Sequence, residues 1–282
     1  MAILRQDLSL LLFYYLGYSN FAHLVHRLRK KTVATFVTFH DIPREALPCF
    51  EANLRFLKRN TTVVSLDDFF EAKLSSQKIN VVITFDDGYK SWFVHALPIL
   101  QRLQLPATFF LSSGYIGLAK ADEVEFMRSR LLVTPDPGRA TIGLTINDVR
   151  KMAFEGFTIG GHTLSHCNLA EARDSGQLRY EIAEDKLRLE RITGRKIEYF
   201  AYPSGAYHNP EIDVTEILRE CGYRGAVTTV SGFNTVETNP YLLHRELTRA
   251  SMSGQVFRAR VYGNYDAVRF LQQWVRMLAR RR

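Results

Sequence analysis

The sequence predicts one α/β domain built around a parallel sheet, on three observations. Short apolar and β-branched runs without polar alternation recur along it, as in 81–84 (VVIT) and 107–111 (ATFFL); strands of that kind are covered on both faces. Helix-like segments separate these runs, and a β-α-β-α order belongs to a parallel sheet, either open or closed into a barrel. No linker or internal repeat divides the 282 residues, and 46% of them are apolar, enough to fill one large core. A single α/β barrel commonly fills this length.

The elements follow in order. Residues 33–39 form a strand ending in His40-Asp41, and a helix then runs through Phe50, Leu54 and Leu57. Residues 81–85 are the next strand, 92–103 a helix, and 107–111 another short buried strand. Residues 113–143 are less regular, with Pro135, Pro137 and several glycines, and read as an inserted loop. A helix at 147–154, a strand at 158–160 and a long charged helix at 178–192 come next. The alternation continues through 197–202, 212–221 and 226–229, and a terminal helix starts at Ser253. The chain thus divides into an N-terminal segment, 1–31, and an α/β barrel domain, 32–282.

The N-terminal segment opens with a nine-residue apolar run at 8–16 (LSLLLFYYL), too short to span a bilayer. No small-residue cleavage site follows it. Phe21, Leu24, Val25 and Leu28 continue at helical spacing with His23, His26, Arg27 and Arg29 between them. This pattern predicts an uncleaved amphipathic helix lying on the barrel or on a membrane surface. The net charge of +8 is concentrated near the ends, at 27–31 (RLRKK) and 276–282 (RMLARRR). No nucleic-acid-binding module accompanies it, so nucleic acid is excluded as a partner class. Cys49, Cys167 and Cys221 have neither a disulfide framework nor metal-binding spacing, which fits a reducing compartment. A cytoplasmic or peripheral inner-membrane location is therefore expected in preference to an exported form.

Two stretches carry chemistry. In VVITFDDGYK (81–90) a buried strand ends in Asp86-Asp87, two like charges, and Gly88 is expected to stop the strand so that both carboxylates lie in the turn beyond it. In α/β folds that rim binds ligands. In GGHTLSHCNL (160–169), His162 and His166 are four apart, a spacing that a helical turn would bring to one face. Two imidazoles and one carboxylate make a three-ligand site that suits zinc and leaves a position for water.

Together these stretches resemble the polysaccharide deacetylase family, carbohydrate esterase family 4, over about residues 33–249. TFDDG (84–88) and HTLSH (162–166) carry the resemblance, supported by ALPIL (96–100) and LPATFFL (105–111). The resemblance implies a distorted (β/α) barrel of about seven strands. It makes Asp87, His162 and His166 the ligands of one divalent metal, zinc by preference, and Asp86 the catalytic base. A metal that neutralises one carboxylate relieves the repulsion and leaves the other to accept a proton. The implied reaction is hydrolysis of an N-acetyl group on a polysaccharide or other glycan. A bound metal lowers the pKa of water to about 7 and polarises the carbonyl.

Two further matches complete the resemblance. FAYPSG (200–205) carries Ala201 where many members have Arg, and its Tyr-Pro-x-Gly form resembles the branch of exopolysaccharide and poly-N-acetylglucosamine deacetylases. Pro203, Ser204 and Gly205 are expected to shape a rim turn whose N–H groups face an oxyanion. Tyr202 reads equally as a substrate platform or a core aromatic. In YLLHRELTR (241–249) either His244, as the acid, or Arg245, as the cation replacing the missing Arg, enters the site, since strand neighbours point to opposite faces. His40-Asp41 resembles a His-Asp pair of the same branch and offers His40 as a second candidate acid. The alternatives are a hydrolase of small amides or O-acetyl esters using the same residues, or an inactive carbohydrate-binding homologue; intact Asp86, Asp87, His162 and His166 disfavour the last.

Overall fold

A computed structural model describes residues 32–134, 142–205 and 207–263. The expected N-terminal helix at 1–31, its basic cluster, and the basic residues at 276–282 lie outside the described residues. Among the described residues, eight parallel strands form one curved sheet: β1 (Ala34–Phe39), β2 (Thr62–Val63), β3 (Asn80–Asp87), β4 (Thr108–Leu111), β5 (Thr158–Gly161), β6 (Tyr199–Ala201), β7 (Gly225–Val227) and β8 (Glu246–Leu247). Seven of them run in the order β7-β6-β5-β4-β3-β1-β8, with β2 beside the start of β3. The helices are α1 (Leu47–Asn60), α2 (Leu66–Phe70), α3 (Leu97–Leu103), α4 (Lys120–Ser129), α5 (Ile146–Phe154), α6 (Ser175–Thr193), α7 (Val214–Glu220) and α8 (Gly254–Val261). The architecture is the expected distorted (β/α) barrel.

Strand alternation sorts the apolar residues into two cores. Val37 and Phe39 of β1, Val81, Ile83 and Phe85 of β3, and Phe109 and Leu111 of β4 face the helices. Phe36, Val82, Phe110, Tyr199, Ala201, Val227 and Leu243 fill the smaller barrel interior. Both faces of β1, β3 and β4 are therefore dry, which is why the sequence runs lack polar alternation. The arc is drawn together by residues 240–248. Thr228 donates its N–H to Leu243, Arg245 donates to Val230, and Thr248 donates to Thr38, so this segment bridges β7 and β1.

Two local expectations change, and two short strands were not expected at all. Asp86 and Asp87 are the last two residues of β3 rather than part of the turn beyond it. Their backbone pairs with Phe110 and Leu111 of β4, and this ladder carries the strand two residues past the apolar run. Residues 113–143 contain the ten-residue α4 and are not simply a loop. The short β2 and β8 give too few residues for any periodicity to register.

Candidate active site

Residues at the carboxyl ends of β1, β3, β5 and β6 form one rim. On β3, Val82, Thr84 and Asp86 fall on the interior face. Asp86 is buried and meets Arg245, whose Nη1 and Nη2 donate to its two oxygens at 2.7 and 2.6 Å. The same guanidinium donates to Thr38 and Thr84 hydroxyls at 3.1 and 3.2 Å, and its Nε donates to the Thr228 carbonyl at 2.8 Å. Arg245 is fully buried and lies over the Phe110 ring. The planar fork of arginine suits such two-point binding. Burial alone would raise the Asp86 pKa; the charge and hydrogen bonds of Arg245, with His162 and His40, outweigh it and hold the carboxyl below the ordinary range. Of the two candidates at 244 and 245, Arg245 is thus the side chain that meets Asp86.

Asp87 has other company. Its φ of 96° breaks the strand alternation, and its Oδ1 lies 3.4 Å from Nε2 of both His162 and His166. The three ligand atoms all lie within 4.8 Å of one another. Bonds of about 2.0–2.1 Å at a tetrahedral angle put neighbouring ligand atoms roughly 3.4 Å apart, so the two Asp–His spacings fit a zinc-sized ion. The tautomers agree. His162 Nδ1 is 2.7 Å from the Ala201 carbonyl, and His166 Nδ1 is 3.1 Å from the Arg130 carbonyl. With Nδ1 at a carbonyl, each ring has its Nε2 on the Asp87 side, where a cation could be shared between them. Burial opposes ionisation of Asp87, and the two imidazoles outweigh it, keeping the carboxyl well below its usual range.

The histidines converge by a route other than the expected helix. Residues 162–166 form an irregular turn after β5, with Thr163 at φ 62° and His166 at φ 54°. The left-handed conformation is costly for residues other than glycine, so packing must hold this turn in place. Thr163 Oγ1 accepts from the Cys167 N–H, and the Leu164 carbonyl accepts from the Gly114 N–H.

The remaining candidates separate clearly. His40 follows Phe39, which pairs with Phe85 in the β1–β3 ladder, so it comes beside the aspartate pair. Its loop is fixed by the π-helical turn Trp92–Ala96 and the residue before it: Trp92 Nε1 donates to the His40 carbonyl, and Ser91 bonds Asp41 and Ile42. His244 packs its ring against Gly232, while Asn234 bonds its backbone N–H and carbonyl at 2.8 Å each. Tyr202 is a core residue, not a substrate platform: it is fully buried and its hydroxyl donates to the Tyr241 carbonyl. Pro203 is buried beneath the rim, and Ser204, at φ 56°, is exposed on it. The Gly205 N–H donates to the Tyr202 carbonyl, which removes it from an oxyanion role. Only glycine fits there, since a Cβ would lie 1.8 Å from Thr229 Oγ1. Ser204 and His166 share a groove of about 390 Å³ with Arg130, Leu132, Asn168 and Glu171.

Sequence reasoning missed Glu181 and Asp185 on α6. Asp185 is fully buried and accepts the Ser113 and His162 N–H groups. Burial pushes its pKa up to about 7 against the pull of those donors. A signal was present: Leu178, Ile182, Asp185 and Leu189 lie on one helical face, and a carboxylate there must have a buried partner.

Polar side chains gathered at the carboxyl ends of parallel strands place this chain among the β/α-barrel enzymes. Comparison with known proteins narrows the class: residues 73–226, more than half of the chain, match the polysaccharide deacetylase family, and the chain belongs to that family and is a deacetylase. YxkH of Bacillus subtilis is 27% identical over 215 residues, 74% of this chain and 67% of that protein. The poly-beta-1,6-N-acetyl-D-glucosamine N-deacetylase of Staphylococcus aureus is 22% identical over 234 residues, 79% of this chain and 76% of the relative. The structure of the deacetylase PplD of Streptococcus pyogenes, in complex with acetate, superposes with a TM-score of 0.65 at 21% identity, covering 82% of this chain and 99% of that one. That of IcaB from Ammonifex degensii gives 0.62 at 24%, covering 81% and 97%.

Proposed function

We propose that this deacetylase removes N-acetyl groups from a glycan polymer, with one divalent cation held by Asp87, His162 and His166 and with Asp86 as general base. The observation that supports this best is the division of the adjacent carboxylates. One lies against two imidazole nitrogens at cation-binding spacing, and the other is locked to a guanidinium. Zinc is the favoured ion because the donors are two imidazoles and a carboxylate. Bound there, it supplies a Lewis acid for the acyl oxygen and lowers the pKa of the attacking water.

The chain's own residues do the rest. Arg245 keeps Asp86 ionised and oriented while leaving a second lone pair on each oxygen to accept the water proton. His40, close to both carboxylates, is the better placed of the two imidazoles to return a proton to the leaving amine. The rim turn at Ser204 faces the groove beside His166 and is where the acyl oxygen would sit. The Staphylococcus aureus relative's name and the Tyr-Pro-x-Gly rim both favour an N-acetylglucosamine polymer as substrate. Acetate release from a panel of N-acetylated glycans, measured with chelator and after zinc is restored, tests the reading. Release should stop with chelator and return with metal. Equal release in both conditions would remove the metal, and hydrolysis only of small amides or O-acetyl esters would remove the polymer.

The N-terminal segment is proposed to hold the enzyme at a membrane surface, because its apolar run is short and a basic cluster follows it. Deleting residues 1–31 should reduce sedimentation with anionic vesicles, and undiminished binding would rule this out.

A further inference from the structure

The turn from His162 to His166 carries two side chains that must meet Asp87, yet its own backbone is irregular and twice left-handed. Something outside the turn has to set its position. α6 packs beneath it and presents Glu181 and Asp185, one helical turn apart on the buried face. Asp185 uses both oxygens. Oδ1 accepts from the Ser113 N–H at 2.8 Å and Oδ2 from the His162 N–H at 2.9 Å. It thereby ties the segment after β4 to the residue after β5. Glu181 holds the other end of the turn: Oε2 accepts from the Ser165 N–H at 2.9 Å, Oε1 accepts from the Ser165 hydroxyl at 2.8 Å, and its own carbonyl accepts from the Leu164 N–H at 3.0 Å. Gly161 makes room for this approach, since a Cβ there would lie 2.9 Å from Asp185 Oδ2 and 2.3 Å from the Tyr223 hydroxyl.

We propose that Asp185 and Glu181 are positioning residues that fix the two ends of the His162–His166 turn and so set the spacing of both imidazoles from Asp87. The proposal rests on the metal-site reading above for its consequence, though the clamp itself is a property of the metal-free chain. The two carboxylates differ in a way that makes the idea testable. Both partners of Asp185 are N–H donors, so an amide fails there: Asn keeps one acceptor and turns an NH2 against the other N–H. One partner of Glu181 is a hydroxyl, which donates or accepts as required. Gln can therefore accept the Ser165 N–H and donate to the Ser165 hydroxyl.

The test uses the full-length protein and the variants Asp185→Asn, Glu181→Ala and Glu181→Gln. Zinc affinity is measured by chelator competition. Amide hydrogen exchange at Ser113, His162 and Ser165, together with thermal unfolding, is measured on the metal-free protein. Groups that orient a metal ligand are typically worth about 10–100-fold in affinity. Asp185→Asn should weaken zinc by that factor and speed exchange at Ser113 and His162, while the melting temperature falls by only about 2–10 °C, so that the fold is kept. Glu181→Ala should do the same at Ser165, and Glu181→Gln should restore wild-type behaviour. Asp185→Asn with unchanged exchange and affinity would overturn the proposal. If that variant does not fold, Glu181→Ala decides at the other end: unchanged exchange at Ser165 would be equally fatal. Absence of zinc binding by the wild type would sink the metal reading, while the exchange rates would still decide the clamp.

Discussion

Asp86 and Asp87 are adjacent, both buried, and both held below the ordinary carboxylate range, yet they sit in opposite surroundings. Asp86 faces the barrel interior and one guanidinium that is permanently charged and fully enclosed. Asp87 faces the rim and two imidazoles whose charge depends on protonation. A carboxylate with a built-in cation has its charge satisfied and can be reserved for proton transfer. A carboxylate beside two imidazole nitrogens is the donor set of the proposed cation site. Strand alternation followed by one left-handed residue separates the two environments within a single dipeptide.

The sharpest way to break this comparison is to remove one partner from each side. His162→Ala should abolish both metal binding and activity. Asp86→Asn should keep the metal and lower turnover by about 10²–10⁴-fold, the usual worth of a general base. Metal analysis beside acetate release separates the two variants. Near-normal turnover in Asp86→Asn would take the base role away from that residue.

A smaller effect is expected on stability. Arg245→Ala leaves a buried, ionised Asp86 without its partner, a loss of about 3–5 kcal/mol for a broken buried pair. The double variant Asp86→Asn/Arg245→Met removes both charges and should recover much of that loss while staying inactive. Denaturant unfolding measures both, and an Arg245→Ala protein as stable as wild type would show that the pair does not hold the interior together.

The finest test concerns the proton returned to the leaving group. A protonated imidazole acting as acid makes activity fall as pH rises through its pKa. Replacing that residue should flatten the alkaline limb of the pH–rate profile. His40→Ala is expected to flatten it and His244→Ala to leave it in place, because His40 comes beside the aspartate pair at the end of β1 and His244 packs on Gly232. The opposite outcome would transfer the acid role to His244.

The strands and helices between 33 and 261 were legible wherever burial imposed a period or a run. That is why β1, β3, β4, β5, α1 and α6 stand close to their expected places. α4 was masked by the glycines and prolines around it, and β2 and β8 are two residues each.

Residue chemistry along the chain determined which groups could act. Two carboxylates at a strand end and two histidines four apart announce themselves because few other residues bind cations or move protons near neutrality. Which group each one meets was decided only by the fold. Arg245 is 159 positions from Asp86, and Asp185 reaches His162 from 23 positions away. His162 and His166 converge through left-handed turn residues rather than a helix. Local sequence encodes φ/ψ preferences and burial over a few residues. The choice of Arg245 over His244, and of Tyr202 as core, depends on interior volume left by β1, β3 and β6, which exists only once the sheet has closed.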